Sequence, residues 1–158
     1  MVNKKIFFFI FLTFLILGIS LFLINETSFD KKENNLSKIC INENCFWLEV
    51  ADTKREQESG LMFREKIGTN REDGMIFIFE EESEPGFWMK NTLINLDILW
   101  ISKNKSIIGF VENISKCVDV CEVYFPPEKI KYVIELRGGE INDKNILLGD
   151  LIYFSEEK

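Results

Sequence analysis

The chain has 158 residues, with 19 Lys and Arg against 26 Asp and Glu, no histidine, and a net charge of −7. The missing imidazole removes Ser-His-Asp and Cys-His nucleophilic schemes and every histidine-ligated metal site, so carboxylates and lysine are the remaining acid-base groups. An acidic balance repels nucleic acid and anionic lipid surfaces, and no nucleic-acid partner is expected.

Asn3, Lys4 and Lys5 precede IFFFIFLTFLILGISLFLI, residues 6 to 24, an uncharged run long enough to cross a hydrocarbon core of about 30 Å as a helix. The lysines before it and the acidic sequence after it predict a cytoplasmic stub over 1–5, a transmembrane anchor over 6–24 and a domain on the extracytoplasmic side. A cleaved signal peptide is the alternative. Here Gly18 and Ser20 are followed by Leu21, Phe22, Leu23 and Ile24 rather than by small residues, which favours a retained anchor. Residues 25 to 37, NETSFDKKENNLS, bury little and suit a flexible tether. Residues 38 to 158 then form one domain. Beyond residue 24 the chain carries 17 basic against 26 acidic residues, a net of −9.

Short apolar runs punctuated by turn residues predict a mainly β domain, a small antiparallel sandwich or jelly-roll-like barrel with one short helix. Residues 38–41 and 45–50 read as a hairpin in which Phe46, Leu48 and Val50 alternate with Trp47 and Glu49. In the following KREQESGLM, Asp52 or Thr53 is placed to cap a helix of two turns and Gly60 to end it. GMIFIFE, residues 74 to 80, is nearly continuous in apolar residues and predicts a strand buried on both sides. Residues 94–101 and SIIGFVENI form a second hairpin with Lys103 to Lys105 at its tip. YVIEL and LIYF add strands, with Gly138-Gly139 and Gly149-Asp150 as turns.

Cys40 with Cys45, and Cys117 with Cys121, make two close pairs. Outside the membrane disulfides persist, and Cys40 and Cys45 bracket a tight loop, so two local bridges are expected. A four-thiolate zinc site is the rival, but the spacings are looser than those of zinc ribbons, and no metal or other cofactor is expected.

GFWMKNTLINLDILWI, residues 86 to 101, sets Lys90, Asn91 and Thr92 in a row inside apolar sequence, where they must reach water, a partner or a ligand. Lys90, Asn91 and Thr92 could bind an anionic or polyhydroxylated group with Trp88 stacking on it, and Arg55 and Arg64 could extend a cationic patch. The plain alternative is a strand end or bulge. Asp97 sits between Leu96 and Ile98 and would be costly if buried alone; a structural carboxylate that accepts backbone N–H bonds is the plain reading. Met62, Met75 and Met89 read as core fillers ahead of copper ligands.

VADTKREQESGLMFR, GMIFIFE, FWMKNTLINLDILWI, a cysteine pair before Tyr124, and YVIELRGGEI with a closing Gly149-Asp150 resemble, in that order and spacing, the bacterial and archaeal family called domain of unknown function 192. The resemblance spans residues 39 to 154 and implies a small, mainly β domain, often exported, with no activity attached. The family pattern usually has one more residue between the cysteines of the second pair than this chain has between Cys117 and Cys121.

The function expected from these residues is that of a membrane-anchored extracytoplasmic domain binding a small polar or anionic ligand, or an envelope protein partner, through Arg55, Arg64, Trp88, Lys90, Asn91, Thr92 and Asp97. The alternatives are a hydrolase-type enzyme with Asp97 as acid or base and Lys90 as electrostatic stabiliser, and a purely structural envelope protein.

Overall fold

The computed structural model describes residues 36–69, 71–117 and 119–155. Its elements are β1 (Leu36–Ile41), β2 (Asn44–Ala51), α1 (Lys54–Ser59), β3 (Gly74–Ser83), β4 (Phe87–Trp88), β5 (Leu96–Ile101), β6 (Ile107–Ile114), β7 (Val123–Tyr124), β8 (Ile130–Arg137), α2 (Glu140–Asp143) and β9 (Ile152–Ser155). The proposed anchor over 6–24 and most of the tether lie outside the described residues. Among those described, no helix is long and apolar enough to cross a membrane.

Seven strands form one curled sheet in the order β6-β5-β8-β3-β2-β1-β9, and β4 pairs with β7 apart from it. The sheet is a half-barrel rather than a two-sheet sandwich. Its edges approach at one end, where Ser106 bridges Leu151 and Ile107 N–H donates to Asp150 O at 2.9 Å. All neighbours are antiparallel except β2 and β3, which run parallel. The reason lies in α1: the chain leaves β2, crosses through the helix and the loop behind it, and re-enters beside β2 in the same direction, as a crossover must.

Local signals account for most elements. The two-residue turn between β1 and β2 has Asn42 at φ 53, a left-handed position that asparagine tolerates, and Cys40 and Cys45 face each other across this hairpin and are bridged. Cys117 and Cys121 form the second bridge. The Thr53 side chain accepts from Glu56 N–H while Glu56 accepts from Thr53 N–H, a complete capping box at the start of α1. Gly60 ends that helix at φ 48, a conformation costly for a side chain.

Two apolar clusters sandwich the sheet. Ile39, Leu48, Ile76, Leu99, Ile107, Ile134 and Ile152 belong to one, which draws on all seven strands and therefore fills the inside of the curl. Met75, Phe77, Leu96, Ile98, Trp100 and Val133 belong to the other, on the outer face under Leu61, Phe87 and Met89. Burial on both faces explains why β3 and β5 read as continuous apolar runs rather than alternating ones. Met75 and Met89 are core residues here.

A second short helix, α2, replaces part of the turn expected after Gly138-Gly139. Its single turn is held from a distance: Asp97 on β5 accepts from Gly139 N–H at 3.0 Å and Ile141 N–H at 2.8 Å, a cap that no local residue signals.

Candidate functional site

On the outer face of the sheet, Gln57 of α1 donates to Ile78 O at 2.9 Å and Ala51 O at 3.3 Å, which pins the helix across β2 and β3. Phe63 N–H donates to Asn91 O at 2.8 Å, tying the turn after α1 to the segment that carries β4. β4 is backed in turn by β7, with Phe87 opposite Tyr124 and Trp88 opposite Val123, and Lys90 bridges Cys117 of the second disulfide. Between these pieces lies a cavity of about 630 Å³, walled by Ser59 to Met62, by Phe77 and Phe79, by Pro85 to Trp88 and by Thr92, with Glu135 of β8 also lining it.

Glu135 is the unusual member. It is buried, and its Oε2 has no hydrogen-bond partner. A Cβ built on Gly60 would lie 3.9 Å from that oxygen and 3.5 Å from the Phe77 ring, so the end of α1 packs closely over the carboxyl. Burial pushes Glu135 up from 4.5 to about 8, and the positive charge of Arg64 opposes that rise without cancelling it. At neutral pH the group is therefore mostly a protonated acid, able to donate one hydrogen bond or to release its proton to an arriving base.

The register explains the neighbourhood. Glu49 of β2 is paired with Met75 of β3, Met75 with Glu135 of β8, and Glu135 with Ile98 of β5, so two glutamates share one row of the outer face. Arg64 reaches into this row and makes a two-pronged ion pair with Glu49, one prong at 2.8 Å, while the buried Glu72 carboxylate lies 3.9 Å away. The hydrogen bond to Glu49 raises the guanidinium above its usual value, so it stays charged.

Of the residues singled out from sequence, Trp88 and Thr92 line the cavity. Trp88 is half-exposed, with the Lys90 ammonium 5.5 Å from its ring centroid. Asn91 sits at φ 60 and Thr92 N–H donates to Met89 O at 3.1 Å; the polar triplet is thus a tight turn that closes one wall. Arg64 is committed to Glu49, and Arg55 is exposed on α1. Asp97 is buried on the opposite face from the cavity and accepts a third N–H, from Asn113 at 2.6 Å; its three backbone donors match the plain structural reading. Sequence reading passed over Glu135 although a signal was present, a single acid inside the apolar YVIEL.

A mainly β half-barrel with two local disulfides and a buried acid beside an apolar cavity describes the class. The chain belongs to the family described as Uncharacterized ACR, domain of unknown function 192, which it matches over residues 37–154. It is similar to the crystal structure of a candidate transcription regulator from Sinorhizobium meliloti 1021, with 26% identity, a TM-score of 0.66, and coverage of 75% of this chain and 92% of that one. It is also similar to a protein of unknown function from Novosphingobium aromaticivorans, with 25% identity, a TM-score of 0.59, and coverage of 75% and 83% respectively. No curated protein matches the chain.

Proposed function

We infer that this chain is a membrane-anchored extracytoplasmic domain that binds a small molecule in the cavity beside Glu135. The observation that carries the reading is the orphaned, buried Oε2 of Glu135, a residue that also lines a cavity of about 630 Å³ with Phe77, Phe79 and Phe87. A few convergent polar groups in an apolar concavity are the usual make-up of a ligand site, and a buried oxygen without a partner is costly until something supplies one. The two disulfides favour an oxidising compartment, and the apolar run over 6–24 supports the anchor.

A thermal-shift screen of the full chain against amines, organic acids, sugars and nucleotides tests the reading. A ligand-dependent rise that Glu135→Gln and Phe87→Ala both abolish supports it, whereas a rise that survives both sends the site elsewhere. Turnover belongs in the same screen, because a carboxyl held near neutrality is poised for general acid-base work. The enzyme built on Asp97 and Lys90 has less support: the Asp97 oxygens are occupied by backbone donors, and Lys90 stacks on Trp88.

A further inference from the structure

The cavity keeps its ionised groups on its exposed side. Of the described residues that line it, Lys54, Glu58 and Glu135 are ionisable. Lys54 and Glu58 both belong to α1, with side chains 90% and 70% exposed and 3.9 Å apart, where water screens them. The buried wall is largely aromatic: Phe77 and Phe87 meet edge to face with ring centroids 5.3 Å apart, beside Phe79. Two buried polar side chains interrupt it, Thr92 and Glu135. Gly60 lines the cavity too, and the place its Cβ would take is 3.9 Å from the orphaned Oε2 of Glu135, which sets that oxygen next to a second lining residue.

This arrangement suits an uncharged ligand. A carboxylate or phosphate would shed its water against aromatic rings, with no buried cation among the described lining residues to meet it. An ammonium would lose its own water and also have to ionise a carboxyl that burial holds protonated, and two desolvated charges repay that cost only when further hydrogen bonds surround them. A neutral acceptor requires neither. The protonated carboxyl is a donor, and a carbonyl oxygen supplies the partner that it lacks. Building on the reading of the cavity as a ligand site, we propose that its ligand is a small uncharged molecule with an apolar body and one carbonyl-type acceptor, the acceptor hydrogen-bonded by the Glu135 carboxyl and the body held among Phe77, Phe79 and Phe87. Binding then selects one protonation state of the site. Because the ligand takes only the acid form, its affinity is steady at low pH and falls as the carboxyl ionises above about 8.

The test uses the full chain and four probes built on one ring: acetophenone, ethylbenzene, benzylammonium and benzoate. Acetophenone and ethylbenzene share a shape and differ in the acceptor. Ligand-observed NMR titration at pH 7 should show acetophenone binding roughly tenfold tighter than ethylbenzene and tighter than either ion. Between pH 7 and 9 the affinity for acetophenone should fall about tenfold, given a carboxyl near 8. Glu135→Met removes the donor at similar size and should abolish both the preference and its pH dependence while keeping the weak affinity for ethylbenzene. Phe87→Ala should weaken every probe that binds. If Glu135→Met does not fold, the wild-type preference and pH profile decide. Ethylbenzene or an ion binding as tightly as acetophenone, an affinity unchanged at pH 9, or a preference that survives Glu135→Met overturns the acceptor assignment and leaves the cavity reading intact. Binding of none of the four at millimolar concentration, or binding indifferent to Phe87→Ala, overturns the cavity reading itself.

Discussion

Glu135 should make this protein lose stability as the pH rises. Its carboxyl is pushed from 4.5 to about 8 by burial, so the folded chain holds the proton more tightly than the unfolded one. The sign follows from linkage: such an acid contributes stability that is complete below the unfolded value of 4.5 and is lost as the pH climbs through the folded value of about 8, levelling off above it. At about 1.4 kcal/mol per pKa unit, the span from 4.5 to about 8 is worth on the order of 5 kcal/mol, a large share of the roughly 5–15 kcal/mol that holds a domain together. Other carboxylates also respond to pH, so the measurement is a difference. Glu135→Gln keeps the shape and removes the proton. Urea unfolding of both proteins near pH 5, 7 and 9 should show the wild type losing several kcal/mol relative to the variant between the lowest and highest pH. A difference that stays constant across the three would refute burial of a neutral acid and mean that Arg64 keeps Glu135 ionised throughout.

Asp97→Ala leaves three backbone N–H groups without their acceptor and should lower stability by roughly 4 kcal/mol, read as a fall in the urea midpoint with faster hydrogen exchange at Gly139 and Ile141. Arg64→Met takes the shared cation from Glu49 and Glu72 and should cost about 3 kcal/mol; because Arg64 holds Glu135 down, the same variant should also move the stability loss of Glu135 to higher pH. The thiols of Cys40, Cys45, Cys117 and Cys121 should resist maleimide labelling until a reductant is added, and replacing Cys40 and Cys45 together by serine should cost about 2 kcal/mol, as expected for so short a loop.

The elements that were legible in the sequence are those whose determinants are local. Asp52 or Thr53 before the helix and Gly60 after it mark both ends of α1, and the spacing of Phe46 and Leu48 spells out which way β2 faces. The failures are of one kind, contacts between distant segments. Nothing near Gly139 announces α2, because its cap is a carboxylate on β5. Glu49 alternates with buried residues and so reads as a solvent-facing position, yet the return of residue 64 over that face turns it into half of an ion pair. Glu135 was hidden by the same cover: α1 and the β4–β7 pair lie over the outer face, and only their placement tells a buried acid from an exposed one.

Asp97 and Glu135 make the distinction between building and binding concrete. They sit on neighbouring strands one register step apart, since Asp97 pairs with Leu136 and Glu135 with Ile98, and both are buried. The pleat sends them to opposite faces. Asp97 meets three N–H groups and thereby joins β5, β6 and the start of α2 into one corner. Glu135 lines a cavity that Phe77, Phe79 and Phe87 also line, and one of its oxygens is unsatisfied. From sequence Asp97 was the more suspect acid, standing in the segment with Lys90, Asn91 and Thr92. Those three residues form a turn that shapes a wall, and the acid that wall encloses comes from a different strand. A buried carboxyl group whose oxygens are all filled has done its work once the chain is folded; one left with an empty oxygen on a residue that lines a cavity still lacks a partner.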